Sequence, residues 1–549
     1  MKKFLILIAV FLVLKVAIAQ DKNDQVKSTY DRSSLSWLIV DNQNLSDFNL
    51  FTEKMKVLNE LSKYDINPLN TLLLTIENPS EAQNSEIANK LTEGKYGNQI
   101  LNFCFNRKPD GTMTPDLFLD RGLYNAKDED IIRSKAMKRG LDYVKDYGEN
   151  LIGKSHVIVL KVDNIIKIEE NSRMDQIKSL LGKGKFHLIR HNYRGYVITV
   201  SAYLFRINFD QTEKDNLYNN CWVNPEDNDQ VKSEKVSQFN NMKVSFNFVK
   251  KVTVISKKIK SVPTFPYNIF ISKPSYDKMM TKLSSKIQDK TITELSRDYE
   301  EFEVKVPIYN TKPTVAKVGK KEGLRPDDRY FVYEYLVDES TNNKEYKKTA
   351  VVRASKVVDN RHVATGNMGK SKFKQNWGEK LEPGLLMVEK NDFGYGGSFG
   401  YEMGKVQGLY WKVDVLLGRA FRFPIANLYF TLTGAYETKS FTANSVNYSN
   451  QKLLRYSYTF AYPFYVGHNV NVKPFGGICA EELRKQNNVA SGVHSSAWVL
   501  GTDVTYGFQS YLELYGGATY YGFYNHDGWE DFYKDRSGLA FRIGCRFSF

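Results

Sequence analysis

Two short segments of this 549-residue chain have residue types and spacings that are typical of ligand-binding sites. Ala364–Ser371, with the sequence ATGNMGKS, ends like a phosphate-binding loop, but alanine replaces the first glycine, so a glycine-rich turn is the preferred interpretation. His187 and His191 are spaced i, i+4, which on a helix would present two imidazoles to one metal ion. Strand-like residues follow the pair and no third ligand is near, so two ordinary histidines are favoured.

Other polar segments could support calcium binding or catalysis. The acidic loops 224–229 and 525–531 do not combine the glycine and terminal glutamate of an EF-hand loop, which favours polar turns. His494 lies beside Ser495 and Ser496 without an oriented partner, and the sequence contains no nucleophile elbow or zinc-protease signature. The sequence therefore predicts no enzyme, no cofactor, no metal site and no nucleic-acid partner.

The first residues indicate export. Lys2 and Lys3 precede an apolar run from Phe4 to Leu14, and small residues end at Ala19, which predicts a signal peptide over residues 1–19. After it, no apolar run approaches the roughly 18 residues of a helical membrane span. Because lipid offers no partners to free backbone groups, only a closed barrel could then cross a membrane.

The last strand of the chain has the pattern of a barrel wall. From Ser537 to Phe549, apolar residues alternate with Arg542, Gly544, Arg546 and Ser548. One apolar face and one face with arginine suit a wall between lipid and a polar lumen. We interpret part of the apolar face as a barrel assembly signal, formed by Phe541, Ile543, Phe547 and Phe549.

Residues 391–549 contain seven more segments of this kind, and about one residue in five there is aromatic, as in the girdles of membrane barrels. The eight predicted strands cover 394–404, 408–418, 427–438, 453–464, 470–482, 496–508, 510–524 and 537–549. An even strand number places both ends of the barrel on one side, with long outer loops at 439–452, 483–495 and 525–536.

Charged residues within these strands fall on one face. Eight strands enclose an interior that side chains can fill, so we interpret these residues as a self-paired polar plug, with a narrow ion path or gate as the alternative. The set has five cations and six anions: Glu402, Lys412, Asp414, Glu437, Arg455, Lys473, Glu481, Asp503, Glu513, Arg542 and Arg546.

This C-terminal segment resembles the small eight-stranded outer-membrane β-barrels of the OmpA/OmpX type. The resemblance covers about the last 160 residues and rests on the strand pattern, the strand number and Phe549. It implies the architecture of the segment rather than an activity. The domain order differs from that of OmpA, because here a large soluble part precedes the barrel, so peptidoglycan binding is not carried over.

The charge of the chain is concentrated ahead of the predicted barrel. The net charge is +15, of which residues 391–549 contribute +2 (14 Lys/Arg minus 12 Asp/Glu) and the signal peptide +3. The remaining +10 favours an anionic partner in the envelope, or is a solvated basic surface with no specific ligand. Four cysteines are too few for a disulfide framework, and a Cys104–Cys221 bridge stays open.

The sequence predicts a multidomain protein in which α/β and small all-β periplasmic modules precede a C-terminal eight-stranded antiparallel transmembrane β-barrel. The predicted divisions are a signal peptide (1–19), an α/β domain (20–165), a second α/β domain (166–310), a small β module (311–390) and the barrel (391–549). Within the α/β domains, the residue pattern predicts helices over 128–147, 276–287 and 291–299 and strands over 157–162, 196–205 and 244–254. Within the β module it predicts strands over 314–318, 329–336, 349–358 and 384–388.

Two functions are compatible with this organisation. The first is a structural or assembly role in a Gram-negative envelope, in which the barrel sits in outer-membrane lipid and anchors a periplasmic platform that docks envelope proteins. The second is surface binding or transport through the outer loops, in which Trp529, Phe532 and Tyr533 would recognise a ligand.

Overall fold

The computed structural model describes residues 33–57, 63–114, 152–169, 193–224, 226–262, 273–296, 299–337, 344–361, 369–390, 392–421, 423–443, 446–484, 493–524 and 530–548. The chain forms two compact units, an N-terminal unit over Tyr30–Glu303 and a C-terminal unit that includes Val304–Phe549. The predicted signal peptide lies outside the described residues. No helix among the described residues is both long enough and apolar enough to cross a membrane.

The N-terminal unit is built on one six-stranded sheet. The strand order is β2-β1-β4-β5-β6, and β3 also pairs with β1. Strand β1 runs parallel to its partners β2, β3 and β4. Strand β5 runs antiparallel to its neighbours β4 and β6. The strands are β1 Ser34–Val40, β2 Asp65–Ile66, β3 Leu73–Leu74, β4 Ser155–Ile168, β5 Tyr193–Ile207 and β6 Phe246–Ser261. Every residue of β1 is buried, because helices cover both faces of the sheet at this strand.

Helices of the N-terminal unit form one layer on each face of the sheet. They are α1 Phe48–Met55, α2 Asn84–Glu93, α3 Tyr96–Cys104, α4 Gln211–Asn216, α5 Asp229–Asn241 and α6 Tyr276–Ser296. Apolar residues of α1 and α6 pack against one face, and those of α2, α3 and α5 against the other. Asn228 caps α5 by accepting a hydrogen bond from the backbone N–H of Val231.

The sheet differs from the predicted division of this region. The boundary predicted at residue 165 falls inside β4, and strands from both predicted α/β domains pair in one sheet. The two helices predicted at 276–287 and 291–299 are the single helix α6, because Gln288 and Thr291 continue its buried face without a helix-breaking residue. The predicted helix at 128–147 lies outside the described residues.

The first part of the C-terminal unit is a seven-stranded β module, over residues 304–390. Its strand order is β7-β13-β10-β11-β12-β9-β8, and all of its pairings are antiparallel. The strands are β7 Lys305–Pro307, β8 Asn310–Thr311, β9 Thr314–Ala316, β10 Arg329–Val337, β11 Lys344–Lys356, β12 Ser371–Gly378 and β13 Leu386–Lys390. The all-β interpretation of this region is confirmed, although the sequence reasoning missed β8 and β12, and β7 lies ahead of the boundary predicted at residue 311.

A closed antiparallel barrel of eight long strands follows. The first strand pairs with the last and each strand pairs with the next, so no edge is left open. The strands are β14 Tyr395–Gly404, β15 Gly408–Leu416, β16 Tyr429–Ala443, β17 Val446–Ala461, the short β18 Phe464–Tyr465, β19 Val470–Arg484, β20 Val493–Gly507, β21 Leu512–Tyr524 and β22 Gly538–Ser548; α7 Leu417–Phe421 and α8 Glu530–Arg536 lie in connections.

One predicted outer loop is instead mostly strand. Pairing between β16 and β17 continues as far as Ala443 and Val446, so the predicted loop 439–452 is a hairpin extension. Its Thr, Phe, Val and Tyr residues favour strands, and this outweighed the polar composition that suggested a loop.

Candidate functional site: the barrel lumen and its cap

The eleven charged residues predicted to fill the barrel all point into the lumen. Ten of them are buried and Glu513 is partly exposed, while their neighbours along each strand face outward. Period-two alternation produces this placement, since successive side chains leave a strand on opposite faces. These residues form two separate networks of ion pairs.

The distal network lies toward the end of the barrel opposite the chain terminus, and consists of Glu402, Glu437, Arg455, Glu481 and Arg536. Arg455 donates to Glu402 over 2.6 Å and to Glu481 over 3.2 Å. Arg536 donates to Glu437 over 2.7 Å and to Glu481 over 2.6 Å. Both arginines thus bridge two strands of the wall, which fixes the distal lumen in one arrangement.

The proximal network lies toward the chain terminus. Arg542 donates through two nitrogens to Asp503, which Lys412 approaches to 3.4 Å. Arg546 donates to Asp414 over 2.6 Å and to Glu513 over 3.0 Å. Lys473 lies 4.0 Å from Asp414 and over the ring of Tyr429. Every charged member therefore has a partner of opposite sign, as a buried charge requires.

A small cavity lies within the proximal network. Its volume is about 30 Å³, and it is lined by the charged residues of that network, by hydroxyl side chains and by a few apolar ones. This volume accommodates one or two water molecules. The paired charges and the small cavity favour the predicted plug over the alternative ion path.

Arg536 is the lumen residue that the sequence reasoning missed. It belongs to α8, in a segment predicted as an outer loop, yet its side chain is fully buried. With it, the lumen contains six cations and six anions. The predicted set of five cations and six anions already indicated a missing cation, because an unpaired carboxylate in a sealed lumen implies a further cation.

The helix that carries Arg536 also corrects the predicted recognition residues. Phe532 and Tyr533 are 8% and 0% exposed, so they do not face an outside ligand. Phe532 packs on Phe441 of β16, with ring centroids 4.1 Å apart, and Tyr533 packs on Phe523 of β21. The physical reason is that burying these rings in the barrel mouth removes apolar area from water. Trp529 lies outside the described residues.

The outer face of the barrel is apolar and exposed, as lipid contact requires. Trp411, Tyr458, Phe460 and Leu500 all point outward, which confirms the predicted parity of their strands. In the last strand, Phe541 and Ile543 face outward and Phe547 is partly exposed, whereas Phe549 lies outside the described residues. Their role as an assembly signal stays a prediction.

The β module closes the terminus end of the barrel through buried ion pairs. Arg353 of β11 lies 2.6 Å from Asp392, three residues before β14, and donates to the backbone oxygen of Asp327 over 2.9 Å. Arg419 of α7 donates to Asp328 over 2.8 Å. These four side chains are largely buried, so the module and the barrel are held together by charges that would be costly to separate.

Hydrogen bonds that involve backbone groups add to this junction. Asp327 accepts from the backbone N–H of Asn427 over 2.7 Å, and the indole of Trp377 in β12 donates to the backbone oxygen of Phe508 over 3.1 Å. Burial raises the pKa of Asp327 to about 7 and that of Asp328 to about 6. A Cβ on Gly418 would lie 2.4 Å from a carboxylate oxygen of Asp327, so the close approach of α7 needs glycine.

A second polar cluster lies inside the N-terminal unit. His156 lies 3.0 Å from the hydroxyl of Tyr299 and 3.5 Å from Glu301, and Arg206 lies 2.8 Å from Glu301. Burial lowers the pKa of His156. Burial opposes ionisation of Glu301, but His156 and Arg206 outweigh it and hold the pKa of that carboxyl at about 2. The cluster ties residues 299–301 to β4 and β5, and no described cavity opens onto it.

The remaining sequence motifs contribute no site within the described residues. His187, His191 and most of the loop at 364–371 lie outside them, as does most of the segment 525–531. No group of three or more His, Cys, Asp and Glu side chains in the described part of the chain is arranged to hold a metal ion. Cys104 and Cys221 are both buried in the same core cluster and are not bridged to each other.

The closed strand order, the outward apolar belt and the charged lumen together decide the architecture. The C-terminal unit contains a closed eight-stranded antiparallel β-barrel with an apolar outer face. No protein-family model matches the chain, and no curated protein sequence matches it. Several solved structures are similar to it, among them three that align with less than a third of this chain.

A major outer membrane protein from Thermus thermophilus is 16% identical, with a TM-score of 0.19, over 28% of this chain and 99% of that one. Neisserial surface protein A is 13% identical, with a TM-score of 0.21, over 29% of this chain and 100% of that one. Ail, the attachment invasion locus protein of Yersinia pestis, is 10% identical, with a TM-score of 0.19, over 28% and 95%. At these values the barrel assignment rests on the strand pairing described above.

Proposed function

We propose that this chain is a non-enzymatic anchor of a Gram-negative outer membrane, exported by residues 1–19, with its β module and N-terminal unit in the periplasm. The barrel holds these parts at the membrane, where they serve a structural or assembly role by docking envelope proteins. The observation that carries the proposal is the sealed lumen: twelve paired charges fill it, and the β module closes one end.

Several features support an anchor over a pore. A conducting barrel needs a continuous polar path, whereas the cavity within the proximal network has space for about two water molecules. Buried ion pairs fix the module on the barrel, which is the arrangement expected when a barrel anchors a soluble domain. The module and the N-terminal unit together are more than twice the length of the barrel, a mass that a pore does not need.

Planar-bilayer recording of the full chain tests the sealed lumen. We expect no resolved channel openings, because ion pairs and the module block both ends. Gel mobility of the same sample with and without boiling confirms that the barrel is folded. Steady ohmic openings from protein that shows the boiling-dependent shift would contradict the proposal and favour transport.

A further inference from the structure

The sheet of the β module has one side that faces its own core and one side that faces the barrel. Tyr330, Val352 and Phe373 on the core side are all nearly inaccessible to solvent. On the other side, Arg353 reaches Asp392, Trp377 reaches Phe508, and Lys348 approaches Ser510. We call this second side the barrel-facing side.

Three lysines lie on the barrel-facing side without being covered by the barrel. Lys374 of β12 is directly opposite Arg353 of β11, and Lys372 is directly opposite Lys356. Residues opposite each other across a ladder share a face, so all three point in the direction of Arg353. Arg353 is buried, whereas Lys356, Lys372 and Lys374 are exposed. The three lysines are therefore accessible on the side of the sheet from which Arg353 reaches Asp392.

The close spacing of the three lysines is unfavourable for the stability of the folded module. The Cβ atoms of directly opposite residues are about 5 Å apart, and like charges at that position are destabilising. Among the described residues, no carboxylate forms an ion pair with Lys356, Lys372 or Lys374. An anion between them would remove the repulsion.

The three lysines lie a short distance along their strands from the end of the barrel. Strand β12 approaches the barrel so closely that a Cβ on Gly507 would lie 2.4 Å from the backbone oxygen of Asn376. At about 3.3 Å per residue, Lys374 and Lys372 are separated from Trp377 by about 10 Å and 17 Å along the strand. Phe464 and Val466, in the turn at this end of the barrel, are exposed apolar residues of the kind that enter a membrane interface.

We propose that Lys356, Lys372 and Lys374 bind anionic phospholipid headgroups of the leaflet that surrounds the terminus end of the barrel. The inference rests on the proposed membrane anchor and adds a lipid preference to it. Lysines near a membrane surface attract anionic lipids, and phosphate groups match the charge and spacing of the Lys356–Lys372 pair. Bound lipid would fix the β module against the bilayer as well as against the barrel.

Native mass spectrometry of the detergent-solubilised full chain tests this, with phosphatidylglycerol and phosphatidylcholine as probes. We expect tighter binding of phosphatidylglycerol, and a loss of about five-fold for each lysine removed in the variant K356Q/K372Q/K374Q. Binding of phosphatidylcholine should not change. The matched control K278Q/K282Q/K286Q removes three exposed lysines from α6 and should bind both lipids as the wild type does.

Three outcomes would overturn the lipid proposal. These are equal affinity of the wild type for both lipids, an undiminished preference in the module variant, and lysine-dependent binding of soluble tripolyphosphate that is tighter than that of phosphatidylglycerol. The boiling-dependent mobility shift, recorded on the same samples, separates the two proposals. A shifted barrel without lipid preference leaves the anchor intact, whereas a wild type without the shift contradicts both.

Discussion

Replacing Arg455 by alanine should lower the free energy of unfolding of the barrel by about 3–5 kcal/mol. Arg455 bonds to Glu402 and Glu481 in the distal network, which contains three glutamates and only two arginines. Its removal leaves three buried carboxylates facing Arg536 alone. Urea titration of vesicle-reconstituted protein, followed by the boiling-dependent gel shift, measures the change.

Two further variants separate the effect of charge from that of lost volume. Lys405→Ala breaks an exposed ion pair with Asp535 and should change stability by less than about 1 kcal/mol. The double variant R455A/E402A removes a carboxylate together with its partner, so it should be less destabilised than R455A alone. If the double variant is the less stable of the two, the unpaired charge is not the dominant cost.

Replacing Arg353 by alanine should release the β module from the barrel. The substitution leaves the buried Asp392 with Arg329, 3.6 Å away, as its remaining ion-pair partner among the described residues, beside the backbone N–H of Gly394, and it removes the bond to the backbone of Asp327. We expect a cost of about 3–5 kcal/mol, enough to shift the docked population strongly. The expected readout is faster proteolysis within residues 304–390 and a changed fluorescence of Trp377, whose indole bonds to the barrel.

The control for this prediction is Lys347→Ala on the same strand. Lys347 forms an exposed pair with Glu379, so its loss should leave proteolysis at the wild-type rate. If R353A and K347A are cleaved at the same rate, the buried Arg353–Asp392 pair does not hold the module in place.

The barrel was largely predictable from the sequence. Alternation over many strands is a strong signal, and it placed Asp414, Arg455 and Arg546 on the lumen face without any structural information. Long runs of alternating residues determine register, because a slip of one residue would turn every charge toward lipid.

The helix α8 could not be predicted by the same reasoning. It has seven residues, too few for helical periodicity to be distinguished from loop sequence. Its position depends on tertiary contacts, since Phe532 and Arg536 find their partners on β16 and β19, which are distant in the chain. The junction between the module and the barrel could not be predicted either, because Arg353 and Asp392 are 39 positions apart and no local pattern links them.

In the N-terminal unit, the strands were easier to predict than the domain boundaries. The buried runs of β4 and β5 were found from composition, but the sequence does not reveal that they pair with β1 and with β6 in one sheet. Non-local pairing is set by packing between segments that a single sequence does not connect.

Site-specific cleavage in cells tests the anchor most directly. A protease site inserted between Glu303 and Val304 should be cut only after the outer membrane is permeabilised, and cutting should release residues 30–303 while 304–549 stays in the membrane. A site inserted into the connection between β19 and β20, whose paired ends lie opposite the chain terminus, should be cut in intact cells. Cleavage at Glu303 in intact cells, or release of the barrel together with the N-terminal unit, would contradict the account.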